Sequence, residues 1–465
     1  MAALFEPGHQ VDDFVIDACI HTGGMARIYS VHYADPAQRS DFPLVMKVPR
    51  MTAADGAENL VGFEVERQIL AAARGPHVPR LVAAGDIALP YLVMEYVRGA
   101  TLQDWLDAHP RRNAVEIARI GALVASAVHS LHEHEVCHLD LKPANVLMRE
   151  GGSAVLLDFG LSWHARTPDL LADGQHITVG SYPWIAPEQV VGVRGDPRSD
   201  LFAIGVILYE MCTGELPFGN PQTRGGLRQR FWMLPRPPRQ INPDVPDWMQ
   251  EIILRCLESK AEKRHASAAL LAFDLSQPDQ VKVTPRGRAT RGIGFSRQCL
   301  RWMRRRAIYQ PSPMPARNAS QMPIVMVAVP HHDATEATLL ALRQAVRRGL
   351  GNRPGARLAC MTVVSLGTAV SGDEHRPTAV ELHQQMLAYL REWAGKIDLG
   401  DHVVSYHVLE SGDVAQALLA FAEANLVNLI IMGAATHGLQ LQRFVATVPI
   451  KVAMHAPCTV MLVKS

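Results

Sequence analysis

Four side chains at fixed offsets carry the chemistry of this sequence. In His138-Leu139-Asp140-Leu141-Lys142-Pro143-Ala144-Asn145-Val146-Leu147, Asp140 can take or orient a hydroxyl proton. Lys142 can neutralise charge on a transferring phosphoryl group, and Asn145 can hold a metal ion through its amide oxygen. Asp158, placed before Phe159-Gly160, supplies a second hard oxygen. A carboxylate and an amide converging on Mg²⁺, with another carboxylate on the nucleophile, suit phosphoryl transfer, where positioning and charge stabilisation do most of the work.

The elements that must hold these groups are legible on either side. Leu44-Val45-Met46-Lys47-Val48 is an apolar strand with one lysine inside, which is costly unless an acid and an anion meet it. The helix expected over 58–73 offers two acids, Glu64 and Glu66. Phe14-Val15-Ile16 and Arg27-Ile28-Tyr29-Ser30-Val31 read as strands around Thr22-Gly23-Gly24-Met25-Ala26, a turn whose backbone can approach phosphates closely. Tyr91 to Val97 is a further apolar strand. Ile117, Ile120, Leu123, Val124, Ala127, Val128 and Leu131 recur at helical spacing and predict a helix that delivers the chain to the Asp140 loop.

The H-x-D-x-K-x-x-N run followed by Asp158-Phe159-Gly160 resembles eukaryotic-type protein kinases, and Asp140 to Asn145 is worded like the Ser/Thr class. The resemblance implies an α+β bilobal fold over 10–277, with a small lobe at 10–95 and a large lobe at 96–277. It implies ATP and Mg²⁺ as cofactors and a protein Ser or Thr hydroxyl as acceptor. Asp140, Lys142 and Asn145 would be catalytic; Lys47 would hold the phosphates and Glu66, from its offset to Ile69-Leu70, would fix Lys47. Ile20, Gly23, Gly24, Met25, Ala26 and Ile28 would cover the nucleotide. Met94 would guard the pocket behind adenine, with the backbone of Glu95 and Val97 on its edge, and Asn145 and Asp158 would hold the metal. In Gly180 to Glu188, which resembles the peptide-receiving segment, Ser181 would bridge Asp140 and Lys142. Glu188 should pair with Arg264, and Asp200 should hydrogen-bond the catalytic-loop backbone.

Two departures from the family pattern matter. His21 and Ala26 stand where glycines are usual, and Leu139 replaces the arginine that normally meets a phosphate on the activation segment. Activity independent of loop phosphorylation is therefore expected, although Thr167, Thr178 and Ser181 lie in that segment. The alternative reading is a pseudokinase scaffold that binds nucleotide or partners without catalysis. A small-molecule phosphotransferase shares the metal apparatus, but the peptide-receiving run argues against it. His132, His134, Cys137 and His138 could be taken for Zn²⁺ ligands; as the end of a helix and the start of a catalytic loop they are not read so.

Composition bounds the rest. A length of 465 residues suggests two or three domains, and a net charge of +1 implies no general affinity for nucleic acid. Seven cysteines without CxxC spacing, no apolar run as long as a membrane span and no signal pattern lead to an expected cytoplasmic location. Residues 278–320 form a basic linker containing proline: Lys282, Arg286, Arg288, Arg291, Arg297, Arg301, Arg304, Arg305 and Arg306 occur without an acid. It reads as a solvated tether whose aromatics pack on one of the two domains, or as a basic amphipathic helix for anionic lipid or nucleic acid, the one route to a membrane surface. From 321 to 465 strands alternate with helices, predicting an α/β doubly wound parallel sheet. Leu429 to Gly433 and His455-Ala456-Pro457-Cys458-Thr459-Val460 resemble a universal stress protein domain. Its phosphate-binding pattern would fall on Gly433, Thr436, Ala446 and Thr447, with two glycines missing and Pro330 where an Asp is usual. That resemblance implies a homodimer through the last strand, or a ligand sensor, in a stress response.

Overall fold

The computed structural model describes residues 5–50, 56–85, 90–109, 113–167, 169–171, 182–221, 223–292, 309–311, 323–332, 334–351, 356–364, 379–400, 402–434 and 448–464. Contacts divide the chain into two units: Met1–Leu275 with Val281–Ser320, and Ser276–Gln280 with Gln321–Ser465.

The first unit begins with an antiparallel sheet of six strands. They are β1 (Gln10–Val11), β2 (Phe14–Thr22), β3 (Ala26–Tyr33), β4 (Leu44–Pro49), β5 (Leu81–Gly85) and β6 (Tyr91–Glu95), in spatial order β1-β2-β3-β4-β6-β5. One face is sealed by Phe14, Ile16, Tyr29, Val31, Met46, Val48 and Val93. Helix α1 (Gly56–Ala72) lies between β4 and β5 in the chain. The paired register sets Lys47 opposite Ile28 on β3 and Leu92 on β6.

The large lobe is helical. After β7 (Gly99–Thr101), helix α2 (Leu102–Ala108) opens on a Thr101–Asp104 capping box, and α3 (Ala114–Glu133) opens on Asn113, whose side chain accepts from the Glu116 N–H. The buried Ile117, Ile120, Val124, Val128 and Leu131 of α3 together contribute on the order of 10 kcal/mol of apolar burial. By length and composition α3 could cross a membrane, contrary to the expectation from the sequence; here its apolar face packs in the lobe, against α5 (below) and β10. Short strands follow: β8 (Val136–Cys137), β9 (Val146–Arg149), β10 (Ala154–Leu156) and β11 (Trp163–His164). Helices α4 (Pro187–Val190), α5 (Arg198–Thr213), α6 (Arg224–Leu227), α7 (Pro238–Ile241), α8 (Asp247–Cys256) and α9 (Ala268–Ser276) complete the lobe.

Where it is described, the expected linker packs on the large lobe, through the aromatic Tyr309 as the tether reading has it and also through main-chain and charged groups. Thr284 donates to Glu251 through its N–H and hydroxyl (3.0 and 2.7 Å), the Gly287 N–H adds a third bond (2.9 Å), and Arg286 pairs with both Glu251 and Glu258. Gln250 Nε2 donates to the carbonyls of Arg286, Gly287 and Ala289. Tyr309 stacks on Phe231, ring centroids 4.6 Å apart, and donates to the Ser259 carbonyl. The basic stretch thus gives one arginine to acids of its own lobe. Residues 293–308, which would form the amphipathic helix, lie outside the described residues.

The second unit is a five-stranded sheet, every neighbouring pair parallel. Its strands are β12 (Ile324–Ala328), β13 (Arg357–Val364), β14 (Val403–Glu410), β15 (Leu429–Gly433) and β16 (Thr459–Val463), in spatial order β14-β13-β12-β15-β16. Helices α10 (Glu336–Leu350), α11 (Ala379–Gly395), α12 (Val414–Ala424) and α13 (Val448–His455) connect them. This is the doubly wound α/β arrangement that the alternation predicts. Every residue of β13 is buried, as a strand covered on both faces requires. Gln280 joins this unit by exchanging two hydrogen bonds with the Tyr406 backbone on the edge strand β14.

Each unit buries a neutral imidazole. Burial, aided by His132, pushes His129 down to about 4; burial, aided by Arg357, does the same to His407. The unfolded chain, with histidines near 6.5, therefore binds more protons between pH 4 and 6.5. The stability is complete above pH 6.5 and is lost as pH falls towards 4. Thermal unfolding followed across this window should show the melting temperature falling, with a shallower pH slope in His407→Gln and His129→Gln.

Candidate active site

The site forms where the small-lobe sheet meets the loop after β8. A cavity of about 460 Å³ is lined by Gly23, Gly24, Met25, Ala26 and Ile28 from the β2–β3 hairpin and by Lys47, Glu66, Met94, Glu95, Val97, Asn145 and Asp158. Of the residues expected at a nucleotide, these all converge. Ile20 does not: it lies with 45% of its surface exposed in the outer half of β2, where Asp17 to Thr22 are all exposed and the pairing with β3 shifts register twice, and it is absent from the lining. Ser181 and Thr178 lie outside the described residues.

Lys47 Nζ is 2.5 Å from Glu66 Oε2 and 3.3 Å from Asp158 Oδ1. Glu64 turns away and pairs with Arg67 on its own helix. Burial disfavours the Lys47 charge, but the two carboxylates outweigh it and hold its pKa above the ordinary lysine value. The nearby ammonium, chiefly, holds Asp158 below the usual carboxylate range despite burial, so Asp158 stays ionised. Burial pushes Glu66 up while Lys47 and the Phe159 N–H pull it back. The raised Lys47 governs the cluster, since two acids face one ammonium.

Gly160 of the Asp158 motif and Gly62, which no motif singles out, allow this geometry. A Cβ on Gly62 of α1 would sit 3.3 Å from the Gly160 carbonyl, and a Cβ on Gly160 would sit 3.3 Å from the Gly62 carbonyl. Backbone therefore meets backbone where α1 approaches the Asp158 turn. A glycine inside a helix, at a cost of about 1 kcal/mol, was the available signal. The apolar walls from Val45, Leu70, Leu147 and Leu157 were also missed, being ordinary strand and helix residues by sequence.

The catalytic loop is held from its backbone. Asp200 on α5 accepts from the His138 N–H (2.9 Å), the Leu139 N–H (2.8 Å) and the His132 ring (2.8 Å). Burial would raise the Asp200 carboxyl, but these bonds outweigh it and keep it below the ordinary value. Asp140 Oδ2 accepts from Lys142 Nζ (2.9 Å) and Asn145 Nδ2 (3.1 Å). Its other oxygen, Oδ1, is buried with no hydrogen-bond partner among the described residues. A buried, unsatisfied carboxylate oxygen is a place prepared for a donor such as a substrate hydroxyl.

A model described as "Protein kinase domain" matches residues 22–275. The chain belongs to the protein kinase family. A second model, described as "Universal stress protein family", matches residues 323–464, so the kinase domain is followed by a universal stress protein domain. The chain is 32% identical over 298 residues to the serine/threonine-protein kinase PknB of Mycolicibacterium smegmatis, covering 60% of this chain and 45% of that one. It is 34% identical over 247 residues to Pkn1 of Myxococcus xanthus (51% and 33% covered), and 31% identical over 279 residues to pkn3 of the same organism (57% and 50% covered). It thus spans half or less of the length of these relatives.

In the universal stress protein domain, Gly433 ends β15 and joins Pro330, His331 and Thr362 around a cavity at the carboxyl ends of the strands. Thr436, Ala446 and Thr447 lie outside the described residues. Of the residues that could be taken for zinc ligands, His132 meets Asp200, His134 the Ser130 carbonyl and His138 the Leu157 carbonyl.

The pairing of Glu188 with Arg264 is present, both fully buried, at 2.6 and 2.9 Å. Burial would raise Glu188, but the guanidinium keeps it ionised and below its ordinary value. Arg264→Met should cost about 3–5 kcal/mol by leaving that charge alone. Denaturant unfolding should show the loss and its substantial recovery in Glu188→Leu/Arg264→Met.

Proposed function

We propose that this chain is an active Ser/Thr protein kinase that transfers the γ-phosphoryl of Mg-ATP to a protein hydroxyl. The observation that carries the reading is the Lys47–Glu66–Asp158 ion cluster in one cavity with Asn145, beside an Asp140 oxygen without a hydrogen-bond partner among the described residues. Asn145 and Asp158 fit Mg²⁺ in donor type, since both offer hard oxygens and Asp158 is held ionised. When bound, the metal would neutralise charge on the phosphates. Lys47, aimed by Glu66, binds the phosphate oxygens. Met94, Glu95 and Val97 receive the base. Asp140 Oδ1 accepts the hydrogen bond of the Ser or Thr hydroxyl, orients its oxygen towards the γ-phosphorus and takes its proton as the new O–P bond forms and the bond from the γ-phosphorus to the β-phosphate oxygen breaks, releasing ADP. Lys142, already on Asp140, stands by to neutralise charge on the transferring group, and Ser181 belongs to the same proposal as a bridge between them.

The universal stress protein domain is proposed to set assembly or to sense a small ligand in a bacterial stress response. A homodimer through its last strand would let phosphorylation run in trans. A cytoplasmic location belongs to the same proposal. The scaffold alternative draws on His21 and Ala26 in the glycine-rich turn, which line the cavity without filling it, and on Leu139 in place of the usual arginine.

The test is transfer from labelled Mg-ATP to the chain itself and to a generic basic protein. Asp140→Asn should lower the rate by about a hundredfold or more, and Lys47→Met should do likewise while also weakening the thermal shift that Mg-ATP produces. A wild-type chain that is stabilised by Mg-ATP but transfers nothing would establish the scaffold instead.

A further inference from the structure

In the usual kinase arrangement, charge on the activation segment arrives with a phosphate and is met by an arginine beside the catalytic Asp. Leu139 occupies that place here and is committed to other work. Its side chain packs with Cys137 and Trp163, its N–H binds Asp200, and its carbonyl accepts from Gln189 Nε2 at 2.9 Å. No counter-charge for a phosphate can come from it.

A different pair ties the first half of the segment down. Arg194, in the loop before α5, donates Nε to Asp169 Oδ2 at 2.9 Å and Nη2 to the carbonyls of Leu161 (3.0 Å) and Ser162 (3.1 Å). Asp169 uses its other oxygen to accept from the Leu171 N–H at 3.1 Å. Leu161 and Ser162 directly follow Asp158-Phe159-Gly160, and Ser162 Oγ donates to the His138 carbonyl at 3.1 Å. The neighbouring Gly195 lies close under the Trp163 indole, 3.1 Å from where its Cβ would be. One guanidinium, largely shielded from solvent, thus joins the metal-binding turn, the activation segment and the loop before α5. Every charge in the junction is supplied by the translated chain.

We propose that Asp169 and Arg194 are positioning residues that do permanently what a phosphate does by switch elsewhere: they hold the Asp158 turn in its working place without phosphorylation. The Asp169 carboxylate stands in for the phosphoryl group, and Arg194 for the missing arginine. The inference rests on the phosphotransfer reading above.

The experiment uses the full chain, treated with a broad-specificity phosphatase that is then removed, and compares initial rates of transfer from labelled Mg-ATP with those of untreated chain. Treated and untreated wild type should agree within about twofold. Losing a charge-assisted bond of this kind should lower kcat roughly tenfold in Asp169→Asn, with the KM for ATP little changed. Asp169→Glu should restore most of the rate. Arg194→Met should lose at least as much, and Asp169→Asn/Arg194→Met should be no worse than Arg194→Met, because both changes break one bond. Asp169→Asn with a lower melting temperature but wild-type kcat well below it would overturn the proposal and leave a merely structural bond. Phosphatase treatment that abolishes wild-type transfer would overturn it as well. A wild-type chain inactive both before and after treatment would remove the phosphotransfer reading and the clamp together.

Discussion

A single buried carboxylate sets the frame for the catalytic loop. Asp200 takes two consecutive backbone N–H groups, those of His138 and Leu139, and a histidine ring. For two successive N–H groups to point at one acid, the backbone has to bend, and Leu139 adopts a φ of +65°. Such a conformation costs a branched residue on the order of 1–2 kcal/mol and persists only where the surroundings over-determine it. Here they do: the Leu139 carbonyl is taken by Gln189 and its side chain by Cys137 and Trp163. Asp158 repeats the device with a φ of +63°, its carboxylate held by Lys47. Both chemically active acids therefore sit on or beside left-handed turns, and both turns are fixed by ion or dipole contacts to a different element.

The charges of the kinase domain are arranged in closed groups. Lys47 has two acids, Glu188 has Arg264, Asp196 has Arg198, and Glu251 has Arg286. Buried pairs of this kind add little net stability compared with apolar packing, but breaking one is expensive. Their value here is registry. Arg264 also donates to the carbonyls of Glu258 and Arg198, so the segment after Pro187, the start of α5 and the loop after α8 are brought to one point. Asp140 keeps one buried oxygen without a hydrogen-bond partner among the described residues, at the place where a substrate must arrive.

The sequence was most readable where chemistry demands a rare residue in an apolar setting. Lys47 inside a strand, Asp140 and Asn145 in one loop and Asp158 before a glycine could each be named from type and spacing, and all line or adjoin one cavity. The alternation of strands and helices in the C-terminal unit could be read, because buried parallel strands are short continuous apolar runs while its helices are longer and amphipathic. What escaped was decided by backbone approach or by partners distant in sequence. Gly62 against Gly160 is a contact between main chains, invisible to any pattern of side-chain types. Arg194 with Asp169 looks like two surface charges until the fold brings both beneath the Asp158 turn. Arg286 looked like one more cation in a basic tether; its meaning depends on Glu251 and Glu258, two turns apart on and just after α8, which present their carboxylates to the same guanidinium.

That last contact bears on how the kinase domain comes into being. Glu251 is buried on α8, and the groups that satisfy it, from Thr284, Arg286 and Gly287, are translated only after α9 is complete. A chain emerging from the ribosome folds its early segments first, so until this strap emerges the large lobe holds an acid whose partners do not yet exist. The helical lobe can collapse before that moment, but its charge balance closes only when the stretch that the composition marks as a linker arrives. The strap is in this sense the last piece of the catalytic lobe rather than the first piece of a tether to the second domain, and a fragment ended at α9 would keep an unmatched acid for its whole life.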